Sequence, residues 1–150
     1  MNPRPKFPIL LALTLAGVIA ACNKGKSKTG PATPTGEPFA LTVEAPPSGA
    51  AGGDFAATVK VEPKGIYKVN LEYPTRLEVK GPAGAAPREV KLTSKQAAKL
   101  SEKVILFKPS FKLAAAGEHT FAGTLRFSVC TPKQCELKNE KVKWVTKVTE

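Results

Sequence analysis

Past residue 38 the chain settles into alternation. Phe39, Leu41 and Val43 take turns with Ala40, Thr42 and Glu44; Phe55, Ala57, Val59 and Val61 do so with Ala56, Thr58, Lys60 and Glu62. Tyr67, Val69 and Leu71 alternate with Lys68, Asn70 and Glu72, while Leu77 and Val79 sit among Arg76, Glu78 and Lys80. Val90 and Leu92 repeat the pattern among Glu89, Lys91 and Thr93. Successive strand residues point to opposite faces, so each run predicts a strand with one apolar and one wet face. Between the runs, "PPSGAAGGD", "EPKG", "YPT" and "GPAGAAP" supply turn residues. Three longer strands follow. Ile105, Phe107, Phe111 and Leu113 share a face; "GEHTFAGTLRFSVC" points Phe121, Leu125, Phe127 and Val129 inward; "KVKWVTKV" points Val142, Trp144 and Val148 inward against Lys141, Lys143 and Lys147. The helical candidate is "SKQAAKLSEK", where Ser94 is placed to cap a turn or two.

About eight strands with short turns and almost no helix predict an all-β fold, an antiparallel immunoglobulin-like β-sandwich over residues 39–150. The 150 residues allow one such domain, because the N-terminus reads differently. Arg4 and Lys6 precede the apolar run "FPILLALTLAGVIAA", which ends at Cys22. That run is shorter than the ~20 residues of a spanning helix and suits a secretory signal. "VIAAC" resembles a bacterial lipobox, in which the cysteine is acylated and becomes the first mature residue. The expectation is a lipoprotein signal peptide over 1–21, a lipid on Cys22 and membrane attachment through that lipid. Residues 22–38, including "NKGKSKTGPATPTGEP", read as a flexible Lys/Gly/Pro/Thr-rich tether. Asn23 follows the lipid cysteine where Asp is the better-known inner-membrane retention signal. The chain is thus expected on the periplasmic side of the cell envelope, at the outer membrane rather than the inner.

Charge adds less. The full chain carries +11, and removing residues 1–21 leaves 21 basic side chains against 12 acidic, a balance of +9. Lys24, Lys26 and Lys28 follow the lipid cysteine, where each is worth roughly 1 kcal/mol against an anionic membrane surface. The remaining excess is spread along strands without a basic block interleaved with aromatics, so nucleic acid is not an expected partner.

Of three cysteines, lipidation of Cys22 leaves Cys130 and Cys135, and an oxidising compartment favours their pairing as a disulfide. Opposed residues of an antiparallel pair lie about 4.5–5.5 Å apart at Cα, which a disulfide tolerates. Closing a ring of about six residues stabilises by only roughly 2 kcal/mol. Strand parity places Thr124, Arg126, Ser128 and Cys130 on the wet face, where thiolate chemistry is easiest, with Lys133 between the two sulfurs. A metal is not expected. Zinc wants four ligands, and the sole histidine, His119, lies eleven residues before Cys130, roughly 36 Å away on an extended strand. His119 reads as a surface residue at a strand start, and no cofactor is called for. A hydrolase is not indicated either, with one histidine and no nucleophile elbow.

A sandwich carrying a close cysteine pair in a late hairpin, "LRFSVCTPKQCELKNEKVKW", resembles the periplasmic N-terminal domain of the transmembrane thiol:disulfide interchange reductases of the DsbD family. The resemblance covers roughly residues 55–148 and centres on the pattern FxxCxxxxC. Four residues separate the pair here, against five in that family. There the pair is a redox-active disulfide, reduced by a membrane partner domain and spent on oxidised periplasmic proteins. The resemblance implies Cys130 and Cys135 as catalytic residues exchanging with a thiol-containing envelope protein. The alternative is a non-enzymatic envelope lipoprotein, binding or structural, whose disulfide is purely a staple.

Overall fold

A computed structural model describes residues 36–150. The expected signal peptide, the lipidation residue Cys22 and nearly all of the tether lie outside the described residues. The strands, in chain order, are β1 (Phe39–Glu44), β2 (Gly49–Ala50), β3 (Asp54–Ala56), β4 (Thr58–Pro63), β5 (Lys68–Val69), β6 (Arg76–Lys80) and β7 (Ala85–Ala86). They continue with β8 (Glu89–Thr93), β9 (Lys99–Ser101), β10 (Val104–Phe107), β11 (Ser110–Leu113), β12 (Gly117–Cys130) and β13 (Cys135–Thr149). One sheet runs β1-β4-β10-β9, a small one β3-β11-β7, and the third β2-β13-β12-β6-β8 with β5 also pairing onto β12. Every pairing is antiparallel except the short β2 on β13.

The all-β antiparallel class is the one the alternation predicted, and the strand count exceeds the expected eight for a local reason. Two predicted strands are each cut in two, at Ala57 and at Lys108–Pro109. Proline has no N–H to give to a ladder. At that level the Ala57 N–H donates to the Pro109 carbonyl at 3.0 Å, and the pairing divides into β4 with β10 and β3 with β11. Short β2, β7 and β9 make up the rest.

Inward-facing residues of these sheets form one core. Val59, Val61, Ile105 and Phe107 come from the first sheet, and Phe55, Phe111 and Leu113 from the second. Leu77, Val79, Phe121, Leu125, Phe127, Val129, Val142, Trp144 and Val148 come from the third, all buried. Removing such side chains from water stabilises by about 1.5–3 kcal/mol each as an upper bound. Phe121 lies between Trp144, stacked at 5.1 Å and 9°, and Phe111 at 4.7 Å. Gly123 lets β6 close on β12, since a Cβ there would collide with the Glu78 carbonyl oxygen and lie 3.0 Å from Val79 Cα.

Three local expectations give way. The helix expected from Ser94 is a 3-10 turn, Ser94–Gln96, preceded by Thr93 as its cap, and Lys99–Ser101 is strand. Leu100 explains this: it packs on the core through β9, which pairs with β10, so tertiary burial outweighs local helix preference. The strand expected through Leu71 stops at Val69, and Leu71 is 48% exposed. Ser128, placed outside by parity, is fully buried.

Candidate functional site

The longest ladder in the molecule leads to the cysteines. Fourteen register pairs join β12 to β13 without a slip, from Gly117 opposite Val148 to Cys130 opposite Cys135. The two cysteines are that last pair, bonded to each other with Cα atoms 4.0 Å apart. Residues 131–134 turn the chain under their own hydrogen bonds. The Thr131 N–H donates to the Gln134 carbonyl at 2.8 Å, and the Thr131 hydroxyl oxygen accepts from the N–H groups of Lys133 (3.3 Å) and Gln134 (3.2 Å). A threonine hydroxyl that takes up nearby N–H groups fixes a turn locally.

Exposure differs between the two sulfur residues. Cys135 is exposed, whereas Cys130 is half-buried, so the wet-face expectation holds for the pair but only partly for Cys130. The cause is the segment around β5. Lys68 and Val69 pair with Cys130 and Val129, extending the sheet beside the end of β12. The Asn70 N–H then donates to the Ser128 carbonyl at 2.9 Å, and the Asn70 amide nitrogen lies 4.0 Å from Cys135 Sγ. The turn after β5 therefore closes on the Ser128–Cys130 row, which buries Ser128 and leaves Cys135 as the accessible side of the bond.

An open cavity of about 450 Å³ runs beside Cys130, with Ile66, Asn70, Leu71, Thr131 and Pro132 among its walls. Ile66 and Leu71 are 57% and 48% exposed, and Leu137, two residues beyond Cys135 on the same face, is 70% exposed. Three of the four large apolar side chains exposed among the described residues thus surround the disulfide. Scattered exposed apolar residues are ordinary; a group of three around one bond is an apolar patch.

Behind the disulfide stands a polar cluster that the sequence analysis missed. The Tyr67 hydroxyl donates to Glu136 Oε1 at 3.0 Å, and Glu136 pairs with Lys138 at 2.7 Å. The hydrogen bond with Lys138 holds the Glu136 carboxyl below its ordinary value, and the one from Tyr67 acts the same way. Lys138 is held above its ordinary value by that same bond to Glu136, and Tyr67 is raised, first by desolvation and then by the carboxylate. A signal was present in the sequence. Counting back by twos from Trp144 and Val142 puts Glu140, Lys138 and Glu136 at core-side positions, where charge calls for partners.

The β5 segment is also tied to the opposite sheet. The Val69 N–H donates to the Glu102 carbonyl at 2.9 Å, and the Lys68 ammonium meets the Glu102 carboxylate at 2.8 Å. His119 sits at the other end of β12 from Cys130, with Nε2 2.8 Å from the Ala115 carbonyl oxygen. Among the described residues no group of three His, Cys, Asp or Glu side chains is placed to hold a metal ion, and no helix is long and apolar enough to cross a membrane.

No family model and no curated protein matches the chain. Among solved structures it is similar to AggA, the major subunit of aggregative adherence fimbriae type I from Escherichia coli, at 13% identity over 74% of this chain and 95% of that one. The TM-score of 0.36 is too low for that likeness to carry an argument about function.

Proposed function

We propose that this chain is a lipid-anchored envelope protein, held to the membrane through Cys22, whose Cys130–Cys135 disulfide exchanges with thiol-containing protein partners. The observation that carries the reading is exposed Cys135 with exposed Leu137 two residues on along its strand, and exposed Ile66 and Leu71 in the wall of the cavity at its partner Cys130. A protein that must be met by another's thiol needs an accessible sulfur and an apolar patch beside it. The turn's own hydrogen bonds favour the same reading, since they hold the loop whether or not the sulfurs are joined. The similarity of the chain's cysteine pattern to the DsbD-family N-terminal domain points the same way, and Asn23 favours the outer membrane as the anchor's location.

In the forward exchange a partner thiolate attacks Cys135 Sγ along the S–S axis. The Cys130–Cys135 bond breaks, Cys130 departs as a thiolate and takes a proton, and a mixed disulfide joins Cys135 to the partner. A second partner thiolate then attacks the partner sulfur of that bond, releasing Cys135. The partner leaves oxidised by two electrons and this chain holds a dithiol. The reverse sequence reduces a partner disulfide, with Cys135 as attacking thiolate and Cys130 resolving. Equilibration against glutathione at graded ratios tests the proposal, with trapping of free thiols by iodoacetamide. The expected potential lies above about −300 mV, and Cys130→Ser is expected to accumulate a mixed disulfide on Cys135. A potential well below that value, or no adduct on the lone Cys135, sinks it.

A staple is the second reading, and one observation favours it: the bond joins the pair that borders the four-residue turn, where it ties the two ends of that turn together. The same titration separates the two, because a staple resists reduction by glutathione.

A further inference from the structure

Four residues before Cys130 on the same outer face, register sets Arg126 of β12 directly opposite Arg76 of β6. Both point away from the core-side Leu77 and Leu125. Like charges directly opposite across strands are destabilising. Only Arg76 has a carboxylate partner, Glu78 at 3.0 Å; Arg126 has none among the described residues. The two line an open cavity of about 500 Å³ with Tyr73, Thr75, Ser94 and Lys95, so its wall carries three cations and no carboxylate. Its size falls within the ~300–1,000 Å³ of ordinary small-molecule sites.

We propose that this cleft binds a phosphate monoester. A dianion with three free oxygens matches two guanidinium groups and an ammonium, each guanidinium able to meet oxygens through a planar fork. A bound oxyanion would also relieve the repulsion between Arg76 and Arg126. Hydroxyl donors complete the wall: Tyr73 lines it, and the Thr75 hydroxyl is buried in it with no partner among the described residues. The cleft is held in shape before any ligand arrives. Gln96 Oε1 accepts from both the N–H and the hydroxyl of Thr93 at 3.0 Å, fixing the 3-10 turn that presents Lys95. The Ser94 hydroxyl donates to the Thr75 carbonyl at 3.2 Å, which ties that turn to the Tyr73–Thr75 segment. Around the cleft, Lys80, Lys141 and Lys143 continue the face without ion partners among the described residues, so the field over the sheet draws anions toward it.

Two sources offer this chemistry, a small soluble phosphate monoester and a phosphate monoester head group on a lipid. Titration of the chain with glycerol 3-phosphate, followed by NMR shifts of the arginine Nε–H and Ser94 amide signals, probes the first. Co-sedimentation with phosphatidylcholine vesicles, with and without phosphatidic acid, probes the second. Saturable binding is expected in at least one arm, and which arm responds tells the source. Arg126→Gln is expected to weaken it at least ten-fold, while Lys143→Gln, on the same face but outside the cleft, changes it less than two-fold. Both side chains are exposed, and unchanged melting of the two variants establishes that they fold. No saturable binding in either arm overturns the proposal, as does equal weakening by the two variants, which would reduce the effect to the charge of the face as a whole.

Discussion

Breaking the Cys130–Cys135 bond is the perturbation that separates the two readings most cleanly on stability grounds. The ring it closes spans six residues, Cys130 to Cys135. Chain-entropy bookkeeping for such a ring gives about 2.2 kcal/mol at 25 °C. Domains of this size unfold with an entropy of ~2.1 cal/mol/K per residue, so over about 115 ordered residues the loss lowers Tm by roughly 9 °C. Total stability of about 5–15 kcal/mol survives that loss. The 131–134 turn keeps its hydrogen bonds and β12–β13 keeps the pairs below it. Calorimetry of the oxidised chain, the reduced chain and Cys130→Ser/Cys135→Ser is expected to show three cooperative transitions, the last two close together and about 9 °C below the first. A drop of more than about 20 °C, or loss of a cooperative transition, would mean the bond holds the hairpin together. The reasoning from ring size would then be wrong, and the staple reading preferred.

Other consequences can be checked on the same samples. Phe121→Ala empties the space between Phe111 and Trp144 and is expected to cost about 3–5 kcal/mol by urea titration; a loss below 1 kcal/mol would show that the core collapses into the gap. Gly123→Ala forces β6 off β12 and is expected to cost about 1–3 kcal/mol, with faster hydrogen exchange at Leu77 and Val79; unchanged exchange there contradicts the close-approach argument. Thr146→Val replaces a buried hydroxyl that has no partner among the described residues and is expected to raise stability by about 1 kcal/mol, an unchanged or lower midpoint being the contrary result. Glu136 is depressed, so its contribution is present above the ordinary carboxylate value of about 4.3 and is lost as pH falls through its lower folded value. Lys138 and Tyr67 are raised, so theirs is present below about 10 and lost as pH rises through their folded values. The stability difference between the native chain and Glu136→Gln is therefore expected to be flat between about pH 5 and 9.5 and to shrink on both sides; a difference that persists at pH 3 removes the cluster from the account.

How much of this was legible follows from which interactions are local. Alternation is local, and it placed every core residue of β4, β6, β10, β11, β12 and the C-terminal half of β13 on the right face. It also put the two cysteines opposite each other in a hairpin. What it lacked was anything set by a neighbouring strand. Ser128 is outward by parity but buried by the turn after β5, and Leu71 is inward by parity but freed because β5 ends at Val69. The split of two strands at Pro109 was readable from proline chemistry, since a proline inside an apolar run marks a break in the ladder. The Arg76–Arg126 opposition was not readable, because it depends on the register of two strands separated by nearly fifty residues. The core and the cysteine pair lie where local pattern decides, whereas the surroundings of the disulfide and the Arg76–Arg126 cleft lie where non-local register does.

That division predicts that the disulfide end and the aromatic core respond independently. Phe121 is nine residues before Cys130 on β12, about 30 Å along a strand, and Trp144 is its register partner. Between them the ladder is continuous, so a change at the terminal pair has to pass through successive hydrogen-bonded pairs to reach the stacked rings. Perturbations more than about 7–10 Å apart with no shared partner add within about 0.5 kcal/mol. Trp144 is the chain's one tryptophan and is buried, which makes its emission a direct reporter of the core. Reduction of Cys130–Cys135 is expected to leave that emission unshifted, whereas Phe121→Leu moves it to the red. In a double-mutant cycle, Phe121→Leu and Cys130→Ser/Cys135→Ser are expected to add within about 0.5 kcal/mol. A red shift on reduction, or a coupling above 1 kcal/mol, would show that the long hairpin carries strain from its tip to its base. The bond could then not open and close in exchange without disturbing the core, and the exchange reading would lose the independence it requires.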